Sequence, residues 1–148
     1  MTSLDISTNA QCELVRRMVL AMPAAKTLGL SFTRIEPGST EVEMPVADAF
    51  CFRPGQLQAT AIFAAADFAA VSAAGTLLEP GVVNATIDTS LKIVAPAKGT
   101  AIRARGRVVD AGKHLTVCAA DVYAVDEHDH ETLCATLLGT ARNVPARA

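Results

Sequence analysis

Hydrophobic and polar positions change period twice along this chain. Leu14, Val15, Met18, Val19 and Met22 recur at the spacing of one helix face, which predicts an amphipathic helix over about residues 8–22, stopped by Pro23 and packed on the outside of the domain. After Gly29, two short extended segments, Leu30–Glu36 and Thr40–Val46, flank the turn signal Pro37-Gly38 and read as a hairpin. Residues 47–56, ADAFCFRPGQ, read as a loop whose Pro54-Gly55 delivers the chain into LQATAIFAAADFAAVSAAGTLL, residues 57–78, an almost unbroken apolar run expected to form a buried helix. Beyond Gly81 the period becomes two: Ala85, Ile87, Thr89, Leu91 and Ile93 alternate with Asn84, Thr86, Asp88, Ser90 and Lys92, predicting one apolar and one polar face. Three further strands are expected at about 100–109, 115–124 and 132–144, so that the C-terminal half reads as an antiparallel meander. A hairpin, a long apolar helix and four strands make an α+β fold, an antiparallel sheet wrapped around one long central helix. The expected organisation is one domain over residues 1–148, with residues 1–28 as an N-terminal helical arm.

The apolar run carries one charge. Asp67 lies in its middle, with Phe63, Ala64, Ala70 and Val71 as helical neighbours and no Lys or Arg in the run to neutralise it. About 20 apolar residues suffice to cross a bilayer, but a central Asp costs about 2.5–3.5 kcal/mol there. The run is also alanine-rich and carries Gln58, Thr60, Ser72 and Thr76. It therefore reads as a buried helix of a globular protein, and the carboxylate as either solvated by a cleft or chemically used.

Composition narrows the classes. A chain of 148 residues suits one domain and can bury about two-thirds of its unfolded surface. A net charge of −2 with scattered Lys and Arg argues against a nucleic-acid partner. MTSLDISTNAQCELVRR shows no basic stretch leading into an apolar core, so a cytoplasmic protein without a membrane partner is expected. Cys12, Cys51, Cys118 and Cys134 are dispersed and read as reduced, mostly buried thiols. A nucleophilic Cys51 would need a base, and His114, His128 and His130 are all far along the chain. The cluster Asp126–Glu131 reads as a solvated hairpin tip rather than a metal site, because consecutive residues do not converge on one ion. No nucleotide-binding glycine motif and no GxSxG elbow is present.

RPGQLQATAIFAAADFAAVSAAG, residues 53–75, resembles the central-helix segment of the hotdog-fold acyl-CoA thioesterases of the phenylacetyl-CoA thioesterase type. NATIDTSLKIVAPAKGTAIRARGRVV, residues 84–109, resembles the third and fourth strands of that fold, and the likeness runs from about Gly29 to Val144. The resemblance implies hydrolysis of an acyl-CoA thioester, with Asp67 as nucleophile or as the base that activates water. Relatives frequently carry His-Gly-Gly at the helix start; the matching residues here are Gln58, Ala59 and Thr60, of which Gln58 keeps a hydrogen-bonding group and Ala59 a main-chain N–H for the thioester oxygen. Phe52 stands where many relatives have an Asn, and Thr86 where they have a Ser or Thr that holds the water.

The resemblance further implies a homodimer or homotetramer with sites between subunits, and no metal or organic cofactor, coenzyme A being part of the substrate. Lys92, Lys98, Arg53 and Arg103 are candidates for its phosphates, and Phe52 and Phe63 for an apolar or aromatic acyl group. Two rivals stay open. A hotdog dehydratase would want a His near the helix, where none stands; a non-catalytic acyl-CoA-binding or regulatory protein would tolerate the changed residues Gln58, Ala59 and Phe52.

Overall fold

The computed structural model describes residues 3–147 of the backbone and the side chains of residues 8–147; Met1, Thr2 and Ala148, which the expected domain span includes, lie outside the described residues. The first helix, α1, runs Ser3–Leu20 and is followed by a short α2, Pro23–Leu28, which ends on Gly29 in the left-handed conformation (φ 71°). The expected hairpin forms as β1, Ser31–Glu36, and β2, Ser39–Pro45. Residues 47–56 are more ordered than the loop expected there. They hold a 3-10 turn at Asp48–Phe50 and a small ladder of β3, Cys51–Arg53, with β4, Gln56–Leu57, whose tight turn uses Gly55 at φ 76°.

The apolar run forms α3, Ala59–Gly75. Four long strands follow: β5, Val82–Ile93; β6, Ala101–Ala111; β7, Leu115–Val125; and β8, Glu131–Pro145. All pairings in the six-stranded sheet are antiparallel, in the order β1-β2-β6-β7-β8-β5. The four C-terminal strands are therefore not a serial meander. Only β6, β7 and β8 are; β5 crosses to the far edge and pairs with β8, because α3 lies between β2 and β5 in the chain and β6 returns beside β2.

The sheet curves around α3, the hotdog arrangement, and the contact is paved with small residues. Ala61, Ala65, Ala66, Ala69, Ala70, Ala73 and Ala74 are buried, opposite Val42, Met44, Ile102, Ala104, Cys118, Ala120, Val122 and Leu137. Alanine gives the best helix propensity and loses no side-chain entropy on burial, so the sequence gains the helix and a close approach together. The approach is tightest at Gly106 of β6, where a Cβ atom would fall 2.0 Å from the Ala69 carbonyl oxygen. That same carbonyl accepts hydrogen bonds from Thr40 Oγ1 (2.7 Å) and Ser72 Oγ (3.1 Å), tying α3 to β2 two residues beyond Asp67.

β5 departs from the simple alternation in its sequence. Thr86 pairs with Ala141 and Asp88 with Thr140, leaving Ile87 unpaired in a β-bulge. The extra residue exchanges faces. Thr89, Leu91 and Ile93 share the helix side with Asn84 and Thr86, which both hydrogen-bond to α3, while Ile87 stands exposed. The uniform apolar and polar faces expected for this strand are thus each split at the bulge. No helix among the described residues is long and apolar enough to cross a membrane.

Candidate active site

Asp67 is the middle residue of α3, on the stripe Phe63, Ala64, Asp67, Phe68 and Val71 that faces away from the sheet and is only partly covered. Thr86 Oγ1 donates to its Oδ1 at 2.9 Å. No cation pairs with the carboxylate among the described residues. Removal from water raises its pKa above the ordinary Asp range, and the Thr86 hydrogen bond pulls it back only in part. The relative magnitudes agree with that balance: a hydrogen bond to a charged group contributes about 1.5–3 kcal/mol, against several kcal/mol for taking an ion out of water. The Cys118 thiol, buried on β7, is pushed up to about 11 by burial first and by the Asp67 charge second.

Asp67 and Thr86 border a cavity of about 400 Å³ between α1, α3 and β5. Its walls are mostly apolar: Leu14 and Met18 from α1, Met22 from the turn that follows it, Phe68 and Val71 from α3, and Val82 from β5. α1, expected on the outside of the domain, forms one wall of this cavity. Sequence reasoning missed Met18 and Met22 as site residues. The available signal was a pair of large flexible side chains on a helix face that otherwise looked like ordinary core.

The start of α3 forms a second locus. Gln58 is its N-cap: its side-chain oxygen accepts from Thr60 N at 2.7 Å and also from the Thr60 hydroxyl. Ala59, the first helical residue, has no intrahelical acceptor for its N–H. A groove of about 600 Å³ opens here, lined by Phe52, Arg53, Gln58 and Ala59 on one side and Ile93–Ala97 on the other. The Arg53 guanidinium lies over the Phe52 ring at 4.8 Å from its centroid. Lys98 bridges to Gln56 at the groove's rim. Thr60 and Phe63 follow on α3, the latter half-buried and one turn before Asp67.

The remaining candidates lie elsewhere. Lys92 stands opposite Thr136 on the outer face of the sheet, away from α3. Arg103 is also on that face, bonded to Glu43, Asp129 and Glu131, so its charge is already compensated. Neither borders the cavity at Asp67 nor the groove at Ala59. Cys51 turns its thiol to the Ala47 carbonyl, and Cys12, Cys118 and Cys134 are buried. At the hairpin tip the Asp126 carboxylate accepts the main-chain N–H groups of His128 and His130.

Eight residues separate Ala59 from Asp67, about 12 Å at a rise of 1.5 Å each. The carboxylate and the free helix-start N–H of one chain therefore cannot meet at one carbonyl carbon.

Comparison with known proteins gives this geometry a family. The thioesterase superfamily profile matches residues 59–130, which begin at the start of α3 and end at the β7–β8 turn. A thioesterase family protein of Silicibacter pomeroyi is 30% identical, with a TM-score of 0.85 over 89% of this chain and 96% of the other. A phenylacetic acid degradation-related protein of Ralstonia eutropha is 26% identical, with a TM-score of 0.74 over 86% of this chain and 98% of the other. At 16% identity, the PaaI protein from the E. coli phenylacetic acid degradation operon shares the fold, with a TM-score of 0.75 over 97% of this chain and 98% of the other. No curated protein sequence matches the chain. The chain belongs to the thioesterase superfamily, whose members cleave small-molecule thioesters.

Proposed function

We propose that this protein hydrolyses an acyl-CoA thioester to a free acid and CoA, with Asp67 as the group that attacks the carbonyl carbon or activates the water that does. The observation that carries this reading is a carboxylate with, among the described residues, one hydroxyl partner and no cation, and with an apolar cavity beside it. Incomplete solvation makes such a carboxylate a stronger base and nucleophile than one in bulk water. As a base, Asp67 takes a proton from water while the water oxygen bonds to the carbonyl carbon. As a nucleophile, its own oxygen forms that bond and water then hydrolyses the anhydride. In both routes the C–S bond breaks, and the CoA thiolate leaves and takes up a proton. Thr86 orients the carboxylate, and no metal or organic cofactor takes part.

The oxyanion donor in this proposal is the N–H of Ala59, strengthened by the α3 dipole. Because one chain cannot bring it to Asp67, the working unit is a homodimer or a tetramer built from such dimers. Its subunits join along β5, a 12-residue edge strand with β8 on one side only and with Ile87 and Ile93 exposed. In this proposal the CoA phosphates are met by Arg53, which lines the groove by Ala59, and by Lys98, whose main chain pairs with Gln56 of that groove. A second reading, acyl-CoA binding without turnover, draws support from Gln58, whose oxygen is spent on capping α3.

Steady-state turnover on a panel of acyl-CoA thioesters, beside calorimetric binding of the same compounds, separates the two readings. Binding with no free thiol released would leave only the second. Mixing an Asp67→Asn chain with an Ala59→Pro chain should restore part of the activity that neither has alone, since one mixed dimer holds an intact pair of halves. Demonstrated subunit exchange with no recovered activity would overturn the shared site. Label in Asp67 after a single turnover in oxygen-18 water would establish the nucleophilic route with water attacking the Asp67 carboxyl carbon, and hydroxylamine trapping of an acyl–Asp67 anhydride would establish it where water attacks the acyl carbon; neither label nor trapped anhydride assigns Asp67 as base.

A further inference from the structure

The cavity between α1 and α3 has one end at the carboxylate and the other at the C-terminal end of α3. Asp67 and Gly75 both border it, and eight residues of helix separate them, about 12 Å. α1 is pinned at the far end. Gln11 Nε2 donates to the Gly75 carbonyl at 2.9 Å, and Val15 seats against Gly75, where an added Cβ would come within 3.3 Å of it.

Two of the polar side chains along the way are bonded to the main chain of α3. Ser72 donates to the Ala69 carbonyl and Asn84 to the Val71 carbonyl. Asp67 is the one charge on its wall among the described residues. What remains is a narrow apolar space beginning at the proposed reacting centre, bounded on one side by Met18 and Met22, which are 44% and 43% exposed and free to change rotamer.

We infer that this cavity holds the acyl tail of the substrate, that the tail is an unbranched alkyl chain of medium length without a hydroxyl or charge at its end, and that α1 through Met18 sets the preferred length. The inference rests on the thioester-hydrolysis reading for the placement of the carbonyl at Asp67. Length, rather than width, is what a space running along a helix measures. A ring fills only its first part, whereas each further methylene of a straight chain meets new apolar wall. Burial of one methylene corresponds to about a fourfold gain in kcat/KM.

The test is a series of acyl-CoA substrates from acetyl through butanoyl, hexanoyl, octanoyl and palmitoyl, with phenylacetyl-CoA beside them, on wild type, Met18→Trp and Met18→Ala. Wild type should gain about fourfold per methylene up to a medium-length optimum and fall at palmitoyl. Met18→Trp should move the optimum to shorter chains and cut the octanoyl-to-butanoyl ratio at least tenfold; Met18→Ala should move it to longer ones. The reciprocal pair keeps the test decisive if one variant folds poorly. Unchanged ranking in both variants, or a wild-type preference for phenylacetyl over every straight chain, would overturn the inference.

If no thioester is hydrolysed, the same variants are titrated with S-alkyl-CoA thioethers by calorimetry. Affinity that rises with alkyl length and loses that rise in Met18→Trp would support the cavity while removing the hydrolytic reading. Affinity independent of length would overturn the cavity itself.

Discussion

On the outer face of the sheet, Arg103 lies 3.1 Å from both Glu43 and Asp129 and 2.9 Å from Glu131, and Arg105 lies 2.7 Å from Glu41 and 2.6 Å from Glu131. On the inner side, Asp67 has one hydroxyl at 2.9 Å and no cation among the described residues. The contrast shows in the titration of the two carboxylates. Burial works to raise both Glu41 and Asp67, but hydrogen bonds from Arg105 and Thr33 overcome it for Glu41, which is lowered, whereas Asp67 stays raised. Arg105 itself is held further toward its charged form by its bonds to Glu41 and then Glu131. The outer network is charge arranged to be quiet; the inner carboxylate is charge left with unsatisfied capacity. A charged residue points to chemistry here by the absence of its partner.

Removing the inner charge should have the largest effect. Asp67→Asn should reduce turnover by about 10²-fold or more, the scale of a positioned base or nucleophile. It should also raise the thermal midpoint at neutral pH. A carboxyl whose folded pKa exceeds its unfolded one binds more protons in the native state between the two values, so wild-type stability falls as pH rises through that window. The midpoint difference between variant and wild type should therefore be small below about pH 3 and reach its maximum above the folded pKa. A variant that loses stability at neutral pH would assign Asp67 to the scaffold instead.

Breaking the outer network should do the reverse. Arg103→Met strips one cation from four carboxylates, Glu41, Glu43, Asp129 and Glu131, while keeping most of the apolar stem, and should cost about 2 kcal/mol in denaturant unfolding. Turnover should remain within about twofold of wild type, on the premise that near-isosteric surface changes leave a distant site in place. A large fall in kcat/KM at unchanged stability would bring Arg103 back as a substrate contact.

Thr86→Val sharpens the comparison at a single bond. Without the hydroxyl, the Asp67 pKa rises further, because the one interaction that lowers it is gone. The acidic limb of the pH–rate curve should move to higher pH, with turnover at neutral pH down about tenfold, the loss expected for one hydrogen bond to a charged group. An unmoved limb would sever Thr86 from the carboxylate's chemistry.

The smallest effect belongs to Glu41. Its lowered pKa makes it a source of stability that is present above the ordinary Glu range, near about 4.3, and is lost as pH falls through the folded value. Glu41→Gln should therefore be less stable than wild type by about 1 kcal/mol at neutral pH, and the two should converge in acid. Parallel stability curves across that range would mean that the outer ion pairs contribute nothing measurable.

Much of this contrast was legible before the fold was known. Asp67 announced itself as the lone charge among alanines, and the hairpin and the strands near residues 101, 115 and 131 were marked by period and turn residues. The outer network was less visible. Arg103, Arg105 and Glu131 look like scattered surface charges until pairing brings β2, β6 and the β7–β8 turn side by side, which is long-range information that no local window carries. The position of β5 was hidden for the same reason: its sequence predicts a strand, but nothing in it states whether β6 or β8 is the neighbour. The cavity wall escaped because a helix face of Leu, Val and Met has the same periodicity whether it meets a core or a void. Arg53 and Lys98 could be named as cations, but only the ladder of β3 and β4 puts them near the start of α3.

The bulge at Ile87 makes the site depend on counting. Along most of a strand, function tolerates substitution so long as size and polarity are kept. Here Thr86 faces Asp67 because one residue more stands on β5 than on β8 between Thr86 and Asp88. Deleting Ile87 would remove the bulge and leave Thr86 opposite Ala141 and Asp88 opposite Thr140, so Thr86 and Asn84 would stay on the helix side; straightening the strand with Ile87 kept would instead turn both to the opposite face. A relative shorter by this one residue would therefore keep the hydroxyl at its carboxylate without a bulge, whereas a chain that has the extra residue keeps the hydroxyl there only by keeping the bulge.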